Sequence, residues 1–343
     1  FRKKPNVKLI SLIAPLILLI FSLTLADAQV NPDLKFFEDK VVNVVVSTKA
    51  GGGYDAYGRM LARYLRKYLP KSVVIVRNVP GAGHIIGANE VYLSKPNGLT
   101  IGMGNYKGLI FTQIAGLPGI KFDLAKFSWL ANVSSEPQIL IMGKHTPFKS
   151  IKDLKDSSVP VKMGMSGVGS SAYNYTLMVG NALGINFKTI PGLSGSEADM
   201  AMLRGEIDGQ IGSLDNLRPM VESEGSKVLL VISRRKASLA PEAPMISSFV
   251  TPKTKGIIDL MVASAELGRP IPAPPNLPPG RLKVLRDAME KTFKDPELLA
   301  YSEKVKLPIS FTSGEDTQKL FVGALNQSPE IVRLVKELTQ PEK

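Results

Sequence analysis

The hydrophobic pattern of this chain switches repeatedly between two periods. Val42 to Val46 is a short apolar run of strand length with four valines, and it leads into a glycine triplet, Gly51 to Gly53. Directly afterwards Ala56, Met60, Leu61, Tyr64, Leu65 and Tyr68 recur at helical spacing. Further strand-length runs are Val73 to Val76, Leu99 to Met103, Gln138 to Met142, Val161 to Met165, Phe187 to Ile190, Ile207 to Ile211 and Val228 to Ile232. Helices are predicted at Ile85 to Leu93 and from about Ala172 to Leu183. Ser150, with Asp153 three positions on, marks another helix start of the capping-box kind. Pro270 to Gly280 holds six prolines and reads as an extended connection. Three helical stretches then close the chain. Strands alternating with helices in two blocks predict an α/β protein of two units.

The two blocks begin alike. Each has a strand feeding a glycine-rich turn and then a helix, Ser47 to Tyr54 in the first and Gly167-Val168-Gly169-Ser170-Ser171 after Ser166 in the second. Glycines let backbone N–H groups approach a ligand closely. The first turn of a helix offers unpaired N–H groups and the positive end of a dipole, which suits a carboxylate or phosphate. In open α/β sheets ligands bind at the carboxyl ends of strands, where both turns lie. Taken singly, each has a plain explanation: a tight turn for the first, and an N-cap serine for the second. Asp55 falls in the first helical turn, where a carboxylate is itself a favourable cap.

Composition narrows the setting. The chain has no cysteine, so disulfides, thiolate metal sites and cysteine nucleophiles are excluded. Arg2, Lys3, Lys4 and Lys8 precede an apolar run from Leu9 to Phe21, and Ala26-Asp27-Ala28 has the small-x-small form of a signal-peptidase site. The run is short for a span of about 20 residues. A signal peptide over residues 1–28, cleaved before Gln29, and an exported periplasmic protein are expected. The formal charge of +13 then falls to +10, with 39 basic residues against 29 acidic. This attracts anionic solutes. No aromatic-basic array points to nucleic acid.

Enzymatic readings find little support in the motifs. Gly51-x-Gly53 runs on to Gly58 without the glycine a dinucleotide fingerprint needs, and the second strand ends at Arg77 rather than at an acidic residue. Arg77 beside an NADP phosphate is the form an exported α/β enzyme or nucleotide-binding protein would take. His84 and His145 are the only histidines, and neither has metal-ligand or triad spacing; both are expected in surface loops. Asp208 and Asp215 are expected at a strand end and a helix cap. No cofactor or metal is predicted.

From about Val41 to Leu338 the sequence resembles the periplasmic solute receptors of tripartite tricarboxylate transporters, the Bug receptors. The marks, in order, are Gly51 to Asp55; Asn78-Val79-Pro80-Gly81-Ala82-Gly83 with Ile86-Gly87-Ala88; Pro96 to Thr100; Gly167 to Ser170; Leu203 to Asp208; and Ala273 to Pro279 before Lys294-Asp295-Pro296. The resemblance implies an α/β, type II-like clamshell of two domains with the ligand cleft between them. Domain 1 would be residues 41–135 plus 264–340 and domain 2 residues 136–263, with crossings near 133–138 and 261–267. It implies a monomer without catalysis that holds a small carboxylate-bearing solute and delivers it to membrane permease subunits. The ligand-binding residues it implies are Thr48, Ala50, Gly52, Gly53, Tyr54 and Asp55 of the first turn, Ser166, Gly169, Ser170 and Ser171 of the second, and Asn105 and Asp215. Backbone N–H groups rather than an arginine clamp are expected to hold the carboxylate, and a side chain at Gly53 is expected to block close approach and to oppose any positive φ. The chain departs from the family pattern at Ser47-Thr48 (often Pro-Phe), Tyr173 (often His) and Gly192-Leu193-Ser194 (often Tyr-Lys-Gly). These positions bear on which solute is bound. Lys49 adds a cation near the first turn.

Overall fold

A computed structural model describes residues 31–193 and 195–339. The expected leader and its cleavage point before Gln29 lie outside the described residues. In the first block, α1 (Pro32–Lys35) precedes β1 (Val41–Val46), α2 (Gly53–Leu65), β2 (Val73–Asn78), α3 (Ile85–Leu93), β3 (Thr100–Met103), α4 (Tyr106–Ala115) and β4 (Ser128–Asn132). The middle block comprises β5 (Gln138–Met142), α5 (Ile151–Lys155), β6 (Val161–Gly164), α6 (Ser171–Leu183), β7 (Phe187–Ile190), α7 (Ser196–Leu203), β8 (Gly209–Ser213), α8 (Leu214–Glu222), β9 (Lys227–Ile232) and α9 (Lys255–Ala265). The chain then returns through β10 (Pro270–Ala273), α10 (Pro279–Phe293), α11 (Pro296–Lys304), β11 (Thr312–Ser313), α12 (Gly314–Leu325) and α13 (Pro329–Thr339).

Three sheets result. The first is parallel, with β1 between β2 and β3 and Val44 opposite both Val76 and Ile101. Its central strand is buried along most of its length, as its run of valines requires. The middle block forms a mixed sheet in the order β7-β6-β8-β5-β9, in which β5 runs antiparallel to both neighbours. The third sheet, β10-β4-β11, is antiparallel.

Pro270 to Gly280 departs from expectation. Its first four residues are not a free connection but the buried strand β10, with a bulge between Ile271 and Pro272. Prolines fit there because β10 is an edge strand and need not donate on its outer side. Four helices close the chain where three were expected. The first of them ends just before Asp295-Pro296, where a helix end was expected, and there the Asp295 side chain accepts from Glu297 N at 2.8 Å and starts the next helix. Among the elements with no counterpart in the sequence reading are α4 and β4. The first is buried from Tyr106 to Ala115 except at Gln113, so it shows no amphipathic stripe.

The two segments that link the blocks lie side by side. Val133 N donates to Arg269 O at 3.0 Å, Arg269 N donates to Asn132 Oδ1 at 3.0 Å, and Asn132 Nδ2 donates to Glu266 O at 3.1 Å. Behind them an apolar core runs continuously from α4 and α6 to α9, α12 and α13, with Phe111 and Tyr175 in edge contact at 5.7 Å. Tyr175 O–H donates to Met261 O at 3.0 Å. Trp129 of β4 stacks on Phe321 of α12 at 3.7 Å and donates its indole N–H to Leu124 O.

Trp129→Ala is expected to lower unfolding stability by about 3–5 kcal/mol, because a fully buried ring and its stack are lost together. Urea unfolding with an unchanged m-value measures this; a loss under about 1 kcal/mol would show that the stack does not tie α12 to the sheet.

Candidate functional site

The first turn is organised by one carboxylate. Asp55 Oδ2 accepts from Gly51 N at 3.0 Å and from Arg59 Nε at 2.9 Å, while Oδ1 accepts from Asn78 Nδ2 at 2.9 Å. Asn78 also donates to Thr48 O, so the end of β2 pins both sides of the turn. Burial raises the Asp55 pKa, but the Arg59, Gly51 and Asn78 hydrogen bonds outweigh it and hold the carboxyl below its ordinary value. Asp55 is thus fully engaged within the turn and acts by positioning it. Gly52 is the N-cap of α2 and has no side chain to cap with, which leaves the first-turn N–H groups of Gly53, Tyr54 and Asp55 without a side-chain cap.

Gly53 corrects one expectation. It has no positive φ; the left-handed residue of the turn is Gly51, at 89°. What forbids a side chain at Gly53 is space, since a methyl group there would collide with Asn216 Oδ1 at the start of α8. Ala50 is exposed and Thr48 half-buried, with Thr48 Oγ1 shielded and without a partner among the described residues.

In the second turn Ser170 is the N-cap of α6, its Oγ accepting from Tyr173 N at 3.3 Å. Gly169 sits at φ 82°, buried, and its carbonyl accepts from Thr112 Oγ1 at 3.0 Å and Asn174 Nδ2 at 3.1 Å. Ser166 and Ser171 are half-buried. Each turn meets the other block. Gly83 packs on the Val168 carbonyl, and a methyl on Gly108 would stand 2.6 Å from Ser171 N. Lys49 pairs with Glu197 of α7 at 2.9 Å, in an exposed bridge across the mouth. Asn105 is the N-cap of α4, accepting from Gly108 N at 3.4 Å and from Tyr54 O–H at 3.3 Å. His84 is not a plain surface histidine: its Nδ1 lies 2.8 Å from Ser47 O, with the backbone left-handed at φ 83°.

Beneath the turns lies a buried charge cluster that the sequence reading missed apart from Asp215. Arg269 is 1% exposed, and its guanidinium lies 4.6 Å over the Tyr54 ring and 4.9 Å over Tyr57. Its Nη2 is 3.6 Å from Glu136 Oε1 and 3.3 Å from Asn216 Oδ1. Glu136 Oε1 also accepts from Ser134 Oγ at 2.6 Å and Tyr57 O–H at 3.5 Å. Burial pushes the Glu136 carboxyl up, but the Arg269 charge and the bonds from Asp215 and Ser134 prevail and hold it down. Asp215 faces Glu136 and is pushed up to about 8, first by burial and then by the Glu136 charge. Lys107, also 1% exposed, is pushed down to about 7, mainly by burial and secondarily by the Arg269 charge. Faint signals exist in the sequence: Lys107 is the one charge in an apolar stretch, and Glu136 and Arg269 each precede a proline. Arg77, which a nucleotide-binding reading would use, is engaged with Glu90. Two surface grooves, one lined by Lys149, Lys152, Pro241 and Phe249 and one by Arg234, Asp259 and Gln327, lie away from both turns. Among the described residues no group of acidic or histidine side chains is arranged to hold a metal.

The profile of the tripartite tricarboxylate transporter family receptor matches residues 58–337. A UPF0065 protein of Bordetella pertussis is 23% identical over 306 residues, covering 87% of this chain and 90% of its own length. Among solved structures, the periplasmic binding protein BugD superposes with a TM-score of 0.72 at 22% identity, over 88% of this chain and 98% of its own. MatC from Rhodopseudomonas palustris, solved with bound malate, gives 0.70 at 18% identity, over 88% and 99%. The fold is therefore that of the two-domain α/β periplasmic binding proteins.

Arg269→Met is expected to destabilise the protein by about 3–5 kcal/mol, because it strands Glu136 in the interior, while Arg269→Met with Glu136→Met recovers most of that loss. Urea unfolding of Arg269→Met, Glu136→Met and the double variant measures the coupling; additive losses would show that the pair is not an energetic unit. The lowered Asp55 carboxyl stabilises the fold fully above its unfolded value of about 3.9, and that contribution is lost as pH falls through the lower folded value. The stability gap between wild type and Asp55→Asn should therefore close on acidification; a gap constant with pH would contradict it.

Proposed function

The chain belongs to the receptor family of the tripartite tricarboxylate transporters, and from that premise we propose that it captures a small carboxylate-bearing solute between the turns at 48–55 and 166–171. The observation that carries this is the pairing of two strand-to-helix turns, each packed on the opposite block, with the first-turn N–H groups of α2 left uncapped by any side chain. Such donors bind an anion by charge-assisted bonds worth about 1.5–3 kcal/mol each. Gly53 and Tyr54 supply backbone donors, Thr48 and Ser171 hydroxyls, and Gly52 and Gly169 close approach. Asp55, Asn105 and Ser170 hold the turns in place, and Ala50 and Ser166 line the mouth. Asp215 acts beneath them through Glu136. The malate bound by the Rhodopseudomonas palustris relative supports a carboxylate as the ligand class.

The two blocks act as domains 41–135 with 264–340 and 136–263, hinged at the paired segments 133–137 and 266–269. Closure is stabilised by the solute only through contacts made in the closed form. The continuous apolar core behind the hinge favours a small rotation over wide opening. The mature protein starts at Gln29, works in the periplasm as a monomer and hands its solute to membrane permease subunits.

A thermal-shift screen of the mature protein against mono-, di- and tricarboxylates tests the reading. A solute at a hundred times its Kd adds about 2.7 kcal/mol of stability. Stabilisation by NADP(H) and by no carboxylate would favour the nucleotide-binding alternative. With a stabilising acid in hand, Gly53→Val should weaken binding at least tenfold, because the added side chain meets Asn216 and stands against Arg269. Ser170→Ala should weaken it less, since one cap is lost while the N–H groups remain. Calorimetry on folded variants decides; normal binding by Gly53→Val would remove the first turn from the site.

A further inference from the structure

The first turn of α4 touches both halves of the site. Asn105 accepts from Tyr54 on one side. On the other, Gly108 O accepts from Asn174 Nδ2 at 3.0 Å, and the Gly108 α-carbon faces Ser171 N. Lys107 lies between them. Its side chain is buried, yet Nζ has no hydrogen-bond partner among the described residues. The charged groups that face it are Arg269, Glu136 and Asp215. Each of the two carboxylates already has a guanidinium beside it, Arg269 Nη2 at 3.6 Å from Glu136 Oε1 and Arg218 Nη2 at 3.8 Å from Asp215 Oδ1. An ammonium with three donors and no counter-charge is the most unfavourable of the buried groups here. Lys49 and Arg59, the cations at the rim, are solvated and already paired with Glu197 and Asp55.

We propose that Lys107 is the direct cationic partner of the solute carboxylate, and that the closed site therefore selects solutes of net charge −1 over di- and trianions of the same skeleton. This rests on the carboxylate-receptor reading and deepens it. A backbone-only site would leave Lys107 unexplained, whereas one carboxylate supplies the counter-charge that Lys107 Nζ lacks. A second free carboxylate would meet Glu136 and Asp215 with no cation left to pair it. Binding also has a proton signature. The free site holds Lys107 near the midpoint of its titration at neutral pH, and an anion beside it raises its pKa. Above pH 7 the complex therefore takes up a proton, and affinity falls as pH rises, by up to tenfold per unit. Asp215 titrates close by and would also repel an anion once ionised, so it must be separated from Lys107.

Calorimetry on wild type, Lys107→Met and Asp215→Asn tests this with charge-graded probes of fixed skeleton: succinate, succinamate and succinamide, and the matching glutarate series. Runs at pH 6 and 8, in buffers of different ionisation enthalpy, count protons. In wild type the half-amides should bind at least tenfold tighter than the dianions and the diamides, with proton uptake at pH 8. Lys107→Met, with thermal stability equal to or above wild type, should lose at least thirtyfold in half-amide affinity and lose the uptake. Asp215→Asn should retain the uptake. Half-amide binding by Lys107→Met within threefold of wild type, or dianions binding tighter than half-amides, overturns the proposal while leaving a carboxylate receptor intact. Uptake that vanishes in Asp215→Asn and persists in Lys107→Met overturns it as well. If neither series binds wild type at all, the proposal falls together with the carboxylate reading.

Discussion

The Arg269–Glu136 pair is the interaction on which this arrangement depends. Each partner lies on one of the two segments that join the blocks, so the only buried ion pair among the described residues ties those two segments together. Its worth is as a constraint. Charges taken out of water gain little net stability over a well-packed apolar pair, but they tolerate one geometry. Tyr54 and Tyr57 stack against the guanidinium, Asn216 Oδ1 accepts from it, Ser134 donates to Glu136, and Tyr54 in turn holds Asn105 at the start of α4. The register of the two turns is thereby set from below, by groups that need not touch the solute.

That foundation explains why the turns differ in kind. The second is held by the Ser170 cap and by bonds to the Gly169 carbonyl from Asn174 of its own helix and Thr112 of α4. The first spends its one strong acceptor, Asp55, on backbone and side-chain donors that fix its shape, and it leaves the N–H groups of α2 facing the gap. In the proposed function a carboxylate takes the place of that missing cap, and the second turn is the wall it would meet.

Much of this was legible in the sequence for a physical reason. Strands such as β5 and β7 and the helix α3 fall on the residues that the apolar pattern marked, and β5 is buried along its whole length. The glycine turns were legible because backbone exposure at a strand end has few other uses. Three things were not. Wholly buried α4 has no polar face to reveal its period, β10 is a strand built of residues that ordinarily exclude one, and the charge cluster joins Lys107, Glu136, Asp215 and Arg269 across some 160 positions of sequence. A lone charge such as Lys107 in an apolar run was a visible clue, but only the fold supplies its neighbours.

Hydrogen exchange of backbone amides, with and without a carboxylate that stabilises the protein, addresses the central claim directly: that one solute bridges two helix starts. The account predicts slowed exchange at Gly53, Tyr54 and Asp55 together with Ser171 and Ala172, and little change in the surface grooves far from them. Protection confined to a single turn, or centred on a groove away from both, would contradict it.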